Sequence, residues 1–403
     1  MSGKTKAGVE RVFLAPEGDI KAPSSIRVTL ICVVFGLIML FGMVNLYSAS
    51  HGDSFFTAHT QRIVLATFFF VVTGWFFPVR QLNTYAYIIY AITIILLSIV
   101  TVTGFTAGGS QRWINLGFFA LQPSELAKVS TAIVVARFFY NNRLSSAYQL
   151  KDLWLLIGLV GLVFVLIFEQ PDLGTAGLCL IIAVAQIAFV RVDLRSFSIV
   201  VCAAIIVAGL GWSFFLHDYQ KLRILNLINP NLDPHGSGYN SIQSLVAVGS
   251  GGMSGKGFLQ GTQAQLQFLP ARHTDFIFSV FAEEWGFLGC ATVFFVFSFL
   301  TYLILEVARH AHDLFSALLA VGIAALFFAG FAINVAMVMG IFPVVGVPLP
   351  FFSYGGSYLI SMSVALGIVV AIDRQNVVAR RHAESEIVWT GFSFKRNKRR
   401  SRT

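Results

Sequence analysis

The sequence predicts an all-α, polytopic membrane protein with about ten transmembrane helices, and three observations carry that prediction. Hydrophobic residues fill 56% of 403 positions and charged residues only 12%, an excess of apolar surface that a water-soluble core does not need. Uncharged apolar runs recur at lengths near the roughly 20 residues that cross a bilayer as helix. Lys and Arg fall mostly into alternate connections, the asymmetry that orients membrane helices.

In chain order, the expected spans lie near 26–48, 60–78, 84–104, 123–141, 152–169, 173–190, 195–215, 277–305, 314–340 and 353–373. Residues 1–25 hold Glu10, Glu17 and Asp19 and no apolar core, so they read as a cytoplasmic tail and not a signal peptide. Between the third and fourth spans, 105–122 contains Trp113 in a stretch too short and too Gly-broken to cross. It is expected to lie at the interface, where Trp is favoured. Pro123, Ser124 and Glu125 suit the first turn of the fourth helix. A long polar loop, 216–275, separates helices seven and eight, and Pro343, Gly346, Pro348 and Pro350 break 341–352 as re-entrant backbone would. The membrane domain thus runs 26–375, followed by a basic tail at 376–403.

With the N-terminus inside, the basic residues from Lys4 to Arg27, Arg80, Arg137, Arg143, Lys151, Arg191, Arg195, Arg309 and the tail from Arg374 to Arg402 are cytoplasmic. Only Arg62, Arg112, Lys221, Arg223, Lys256 and Arg272 fall outside. Both termini are therefore expected to be cytoplasmic and 216–275 extracytoplasmic. Beside a membrane span, the net charge of +9 fits topology and anionic lipid rather than nucleic acid. Cys32, Cys179, Cys202 and Cys290 all lie in apolar spans and read as small buried hydrophobes. The eight histidines show no zinc-like spacing, and neither HExxH nor GxSxG occurs.

Chemistry concentrates on the predicted outer face. Asp275 stands where the polar loop meets an apolar helix, after Arg272 and His273. It could cap that helix, or act as a functional carboxylate with Arg272 and His273 orienting it or binding an anion. Lys128 lies about one and a half turns inside a span, so a carboxylate partner is required. Glu125 shares its face, and Asp172 or Glu169 supplies the expected ion pair that fixes helix register. The run Gly249 to Gly257 resembles a phosphate loop, yet no Ser or Thr follows Lys256 and its first Gly is misplaced.

Together these segments resemble the SEDS family of cell-wall proteins, which includes RodA, FtsW and SpoVE. The matching stretches are Arg112-Trp113-Ile114, Gln122 to Glu125, Gln170 to Thr175, Asn229-Pro230 with Asp233-Pro234, Gly257 to Gln263, His273 to Phe276, and Pro348 to Gly356. Trp285 and Tyr358 depart from the family's usual Leu and Ser. The forms around Asp275 and Pro348 are more similar to the elongation member, RodA, than to the division member, FtsW.

The resemblance implies a peptidoglycan glycosyltransferase of the bacterial inner membrane, working at the extracytoplasmic face. It would polymerise lipid II, inverting the anomeric centre, with Asp275 as general base and Trp113 important for activity. Arg112, Arg223, Lys256, Arg272 and His273 are the candidates to bind the substrate's pyrophosphate, or a divalent cation such as Mg2+ or Mn2+ would help. The implied partners are a class B penicillin-binding transpeptidase and other elongation-complex membrane proteins. The alternatives are an FtsW-type division polymerase, a lipid II flippase, and a scaffold that only recruits an enzyme.

Overall fold

The computed structural model describes residues 24–377, apart from 51, 108–109, 116–119, 145, 234–235 and 267. Both predicted tails, 1–25 and 376–403, lie almost wholly outside the described residues. Each of the ten predicted spans coincides with a helix: α1 (Ser24–Ser50), α2 (Ser54–Val71), α3 (Val79–Thr103), α4 (Pro123–Asn141), α5 (Leu150–Glu169), α6 (Leu173–Ala188) and α7 (Leu194–Leu210). Four further helices, α8 (Asp218–Ile228), α9 (Ser237–Ser250), α10 (Thr262–Gln265) and α11 (Ile277–Arg309), precede α12 (Leu314–Val338) and α13 (Gly356–Val377). The eighth predicted span is α11, Ile277–Arg309.

Seven of these helices are long and apolar enough to cross a membrane. The exceptions have physical causes: α4 carries Glu125, Lys128 and Arg137, and α6 and α7 have 16 and 17 residues. The chain is a multi-pass membrane protein. A helix meets that setting because it satisfies its own backbone hydrogen bonds where water is absent.

Two predicted connections differ from expectation. The 105–122 segment is a small antiparallel sheet, β1 (Phe105–Ala107), β2 (Ser110–Asn115) and β3 (Ala120–Leu121), in the order β1-β2-β3. Strand pairing occupies backbone groups that no helix there could serve. The 216–275 segment is folded rather than loose: it contains α8 (Asp218–Ile228), α9 (Ser237–Ser250) and the short α10 (Thr262–Gln265). At the head of α8, His217 and Gln220 form a reciprocal capping pair.

Helices α4, α12 and α13 form the centre, and α2 lies at the rim, with only 17% of its membrane window buried against 83% for α12 and α13. Gln186 of α6 knits the centre, its Nε2 donating to the Ala132 and Leu318 carbonyls of α4 and α12. Antiparallel α1 and α13 are tied at one end by the buried Arg27–Asp373 ion pair at 2.9 Å. At the other end of α1, about 27 Å away by helical rise, Asn45 reaches the start of α11.

Candidate active site

Asp275 lies two residues ahead of α11, and two helices and the approach to a third fix its backbone. Asn45 of α1 donates to the Ile277 carbonyl at 3.0 Å. Asn334 of α12 donates to the Asp275 carbonyl and to that of Val347, both at 2.8 Å. Just before α13, Ser353 Oγ donates to the Thr274 carbonyl at 2.6 Å and Tyr354 N–H to the His273 carbonyl at 2.9 Å. The main chain from 273 to 277 is thereby held while the Asp275 side chain stays half-buried. Helix capping is not its role: the N-cap position falls on Phe276, and no side chain caps there.

The re-entrant stretch closes over the carboxylate. Gly346 has φ +69°, and a Cβ built there would lie 3.6 Å from Asp275 Oδ2. Burial pushes the Asp275 carboxyl above its ordinary range, and the charge of Asp172 adds to that, while Arg112 and Arg223 pull it back down. A carboxylate held in this way is a stronger base than one in water, and the two cations leave it accessible in ionised form.

Arg112 comes from β2 and Arg223 from α8. Arg112 Nη1 binds Asp172 Oδ2 at 3.0 Å, and Asp172 itself caps α6, accepting from Thr175 N and Oγ1. The expected Lys128–Asp172 pair is therefore not formed. Lys128 instead binds Glu125 at 2.7 Å, both buried, one turn apart on α4, because a partner at i,i+3 reaches it without crossing to another helix. The ring of Tyr358, one of the family departures, lies 4.7 Å from the Lys128 ammonium, and its hydroxyl donates to the Pro348 carbonyl. Trp113 is half-buried beside Arg112, opposite Phe105 in the sheet register.

Three predicted substrate contacts have other partners. Arg272 is buried and donates to the Ala49 carbonyl of α1 at 2.8 Å. His273 stacks on Phe55, ring centroids 5.2 Å apart. Lys256 binds the buried Glu283 at 2.6 Å, and Thr262 and the Gln263 N–H complete that carboxylate's shell.

The glycine run is a splice in α11, not an anion loop. In an unbroken helix, Glu283 and Glu284 would accept from Phe287 and Leu288. Here their carbonyls accept from Lys256 and Gly257, and Phe287 and Leu288 donate to Gly252 and Met253. Gly286 turns to φ +62° to admit the loop. A Cβ at Gly255, itself at φ +79°, would fall 2.0 Å from the Glu284 carbonyl oxygen, so only glycine fits.

Among the described residues no group of three or more His, Cys, Asp and Glu could hold a metal ion. Sequence reasoning missed Asn45 and Asn334, and it read Gly346 only as a break in 341–352 and Ser353 only as part of the stretch Pro348 to Gly356. The signal was available for the two asparagines, since a lone amide in an apolar span requires a specific partner.

The family described as cell cycle protein, FtsW/RodA/SpoVE, matches residues 23–377. The chain belongs to that family. Over 348 residues it is 38% identical to the peptidoglycan glycosyltransferase MrdB of Escherichia coli, covering 85% of this chain and 92% of that one. It is 34% identical to the stage V sporulation protein E of Bacillus subtilis, covering 86% and 96%. Among solved structures, it is similar to a chain from a study of how a peptidoglycan synthase complex coordinates polymerization and crosslinking: TM-score 0.73, 28% identity, 86% of this chain and 97% of that one. The rod shape determining protein RodA of Thermus thermophilus matches with TM-score 0.65 and 26% identity, covering 86% and 96%. In this FtsW/RodA/SpoVE chain, Arg112, Asp172 and Gly346 come from three separate segments and bear on the Asp275 carboxylate.

Proposed function

We infer that this chain is a peptidoglycan glycosyltransferase of the RodA type, which polymerises lipid II with Asp275 as general base. The observation that carries the reading is Asp275 itself, a half-buried carboxylate with its backbone anchored and its basicity raised by burial. The names of its relatives support the activity. The elongation assignment is supported by identity to MrdB of Escherichia coli at 38%, against 32% to the probable FtsW of Synechocystis.

In the reaction, Asp275 takes the proton of the acceptor sugar's 4-hydroxyl as that oxygen bonds the anomeric carbon of the donor. The bond from that carbon to pyrophosphate breaks, and the polyprenyl pyrophosphate leaves with the electron pair. A single displacement inverts the centre. General-base catalysis contributes about 10²–10⁴-fold, and Arg112 and Arg223, whose charges already act on Asp275, are the candidates to offset charge on the leaving group. Asp172 is occupied by Arg112 and Thr175. A Mg2+ or Mn2+ ion would therefore draw one carboxylate from Asp275 and its other oxygens from substrate and water.

The end of the bundle that carries Asp275 is assigned to the extracytoplasmic face of the inner membrane, where lipid-linked disaccharide would be used. A class B penicillin-binding transpeptidase is the proposed partner, in keeping with the polymerising and crosslinking complex that the chain resembles. The test is glycan synthesis from lipid II by the purified chain with that partner. Wild type should form polymer and Asp275→Ala none. Polymer from the variant at the wild-type rate rejects the role of Asp275.

A further inference from the structure

At the end of α2 and α13 remote from Asp275, the last turn of α2 widens into a π-turn, Val72–Phe76, and the chain bends at Phe77 and Pro78 into α3. Helix ends leave carbonyls without partners, and Arg374 of α13 serves two of them. Its Nη1 donates to the Gly74 and Trp75 carbonyls at 3.1 and 3.0 Å. Those bonds occupy one corner of the guanidinium: Nε and Nη2 take no part in them. No carboxylate pairs with Arg374 among the described residues. Asp373, its neighbour in the chain, is buried and bound to Arg27.

A groove of about 250 Å³ lies between residues 74–78 and Ala371, Arg374 and Gln375. Its base is tightly packed, since a Cβ on Gly367 would fall 2.8 Å from the Phe70 carbonyl oxygen. Three side chains in the lining can donate hydrogen bonds, Arg374, Gln375 and the Trp75 indole, and none is an acid. Phe76 and Phe77, also in the lining, expose 77% and 39% of their surface. Donors beside bare aromatic rings suit the level where headgroups meet acyl chains. By the topology proposed above, this end faces the cytoplasmic leaflet, where basic pockets between membrane helices hold anionic headgroups. The volume is below the roughly 300–1,000 Å³ of sites that enclose drug-sized ligands, so a headgroup fits and a nucleotide does not.

We propose that this groove seats the phosphate of an anionic phospholipid of the cytoplasmic leaflet. Arg374 is its cation, Gln375 and Trp75 are further donors, and the glycerol and upper acyl carbons lie against Phe76 and Phe77. The lipid is a resident ligand that joins the end of α2 to the end of α13, and no bond is made or broken. The seat does not depend on the glycosyltransferase reading.

The test places the full chain in phosphatidylcholine nanodiscs and titrates phosphatidylglycerol brominated on its acyl chains, reading tryptophan quenching. Subtracting the same titration of Trp75→Phe isolates Trp75, and brominated phosphatidylcholine gives the baseline of ordinary surrounding lipid. Wild type should reach half-maximal quenching of Trp75 at about fivefold lower mole fraction of phosphatidylglycerol than of phosphatidylcholine, the effect of one basic side chain at an anionic lipid surface. Arg374→Gln should remove that preference. So should Gln375→Glu, which puts an acid in the groove and leaves the Arg374 bonds to the two carbonyls in place. Should Arg374→Gln fail to fold, Gln375→Glu decides. Arg191→Gln, on another connection and outside the groove lining, should keep the preference. Equal quenching by the two lipids in wild type overturns the seat, and so does a preference that survives Gln375→Glu. Loss of the preference in Arg191→Gln to the same degree overturns it as well, by assigning the effect to overall charge. Inorganic phosphate at matched ionic strength should not displace the lipid; displacement would make the groove a free-anion site and reject the lipid.

Discussion

At the residue scale, the sign of the Asp275 shift has two consequences. Burial holds its carboxyl above the ordinary range, so the folded protein favours the neutral form, and the ionised form needed for catalysis opposes folding at neutral pH. Asp275→Asn should therefore unfold at the same or higher temperature than wild type while losing polymerisation; a clear drop in Tm would contradict this. Arg223 pulls that carboxyl down. In Arg223→Gln it should rise further, so the acidic limb of the pH–rate profile moves to higher pH, and a limb that stays in place removes Arg223 from the electrostatics of the site. The buried pair behaves differently. Lys128→Met strands Glu125 and should cost about 3–5 kcal/mol, most of it recovered in Lys128→Met with Glu125→Gln; thermal unfolding of both variants checks it. Asp275 was legible from sequence because an acid at the edge of an apolar run is rare. The partner of Lys128 was misread because Asp172, equally plausible by hydropathy, is claimed by an arginine from a strand that the apolar pattern did not predict.

At the element scale, α11 is two helical pieces joined through the glycine run. Gly252 has φ +56° with open space around its missing Cβ, whereas Gly255 faces the Glu284 carbonyl at 2.0 Å. Gly252→Ala should lose only about 1–2 kcal/mol, the ordinary left-handed penalty. Gly255→Ala should fail to accumulate as folded protein, as read by detergent size-exclusion of the tagged chain. Equal behaviour of the two would dismiss the splice as a structural requirement. The sequence announced the glycines and suggested an anion loop, because composition cannot tell a backbone that meets phosphate from one that meets another helix. Apolar helices were found nearly to their ends by hydropathy. The early start of α2 was not, since Ser54, Thr57 and His59 interrupt its first six residues. Helices α8 and α9 were also missed, because their stability comes from packing and caps within a polar segment.

At the scale of the whole molecule, the all-helical membrane plan was legible because a bilayer demands one element type, and seven of the described helices have the length and apolarity to cross it. The site was legible only in part, since it is assembled from residues far apart in sequence whose link is tertiary. Orientation can be read directly. An impermeant maleimide should label Met253→Cys, in the exposed loop of the splice, from outside intact spheroplasts. It should reach Gln375→Cys, at the opposite end of α13, only after lysis; the reverse pattern would invert the proposed topology. The hydrogen bonds that α1, α12 and the approach to α13 make to carbonyls 273 to 277 have a practical corollary. Because none of them uses the Asp275 side chain, a disarmed enzyme should keep its seat fully shaped and hold both sugars unreacted, a ready-made trap for capturing the stalled complex by cryo-microscopy.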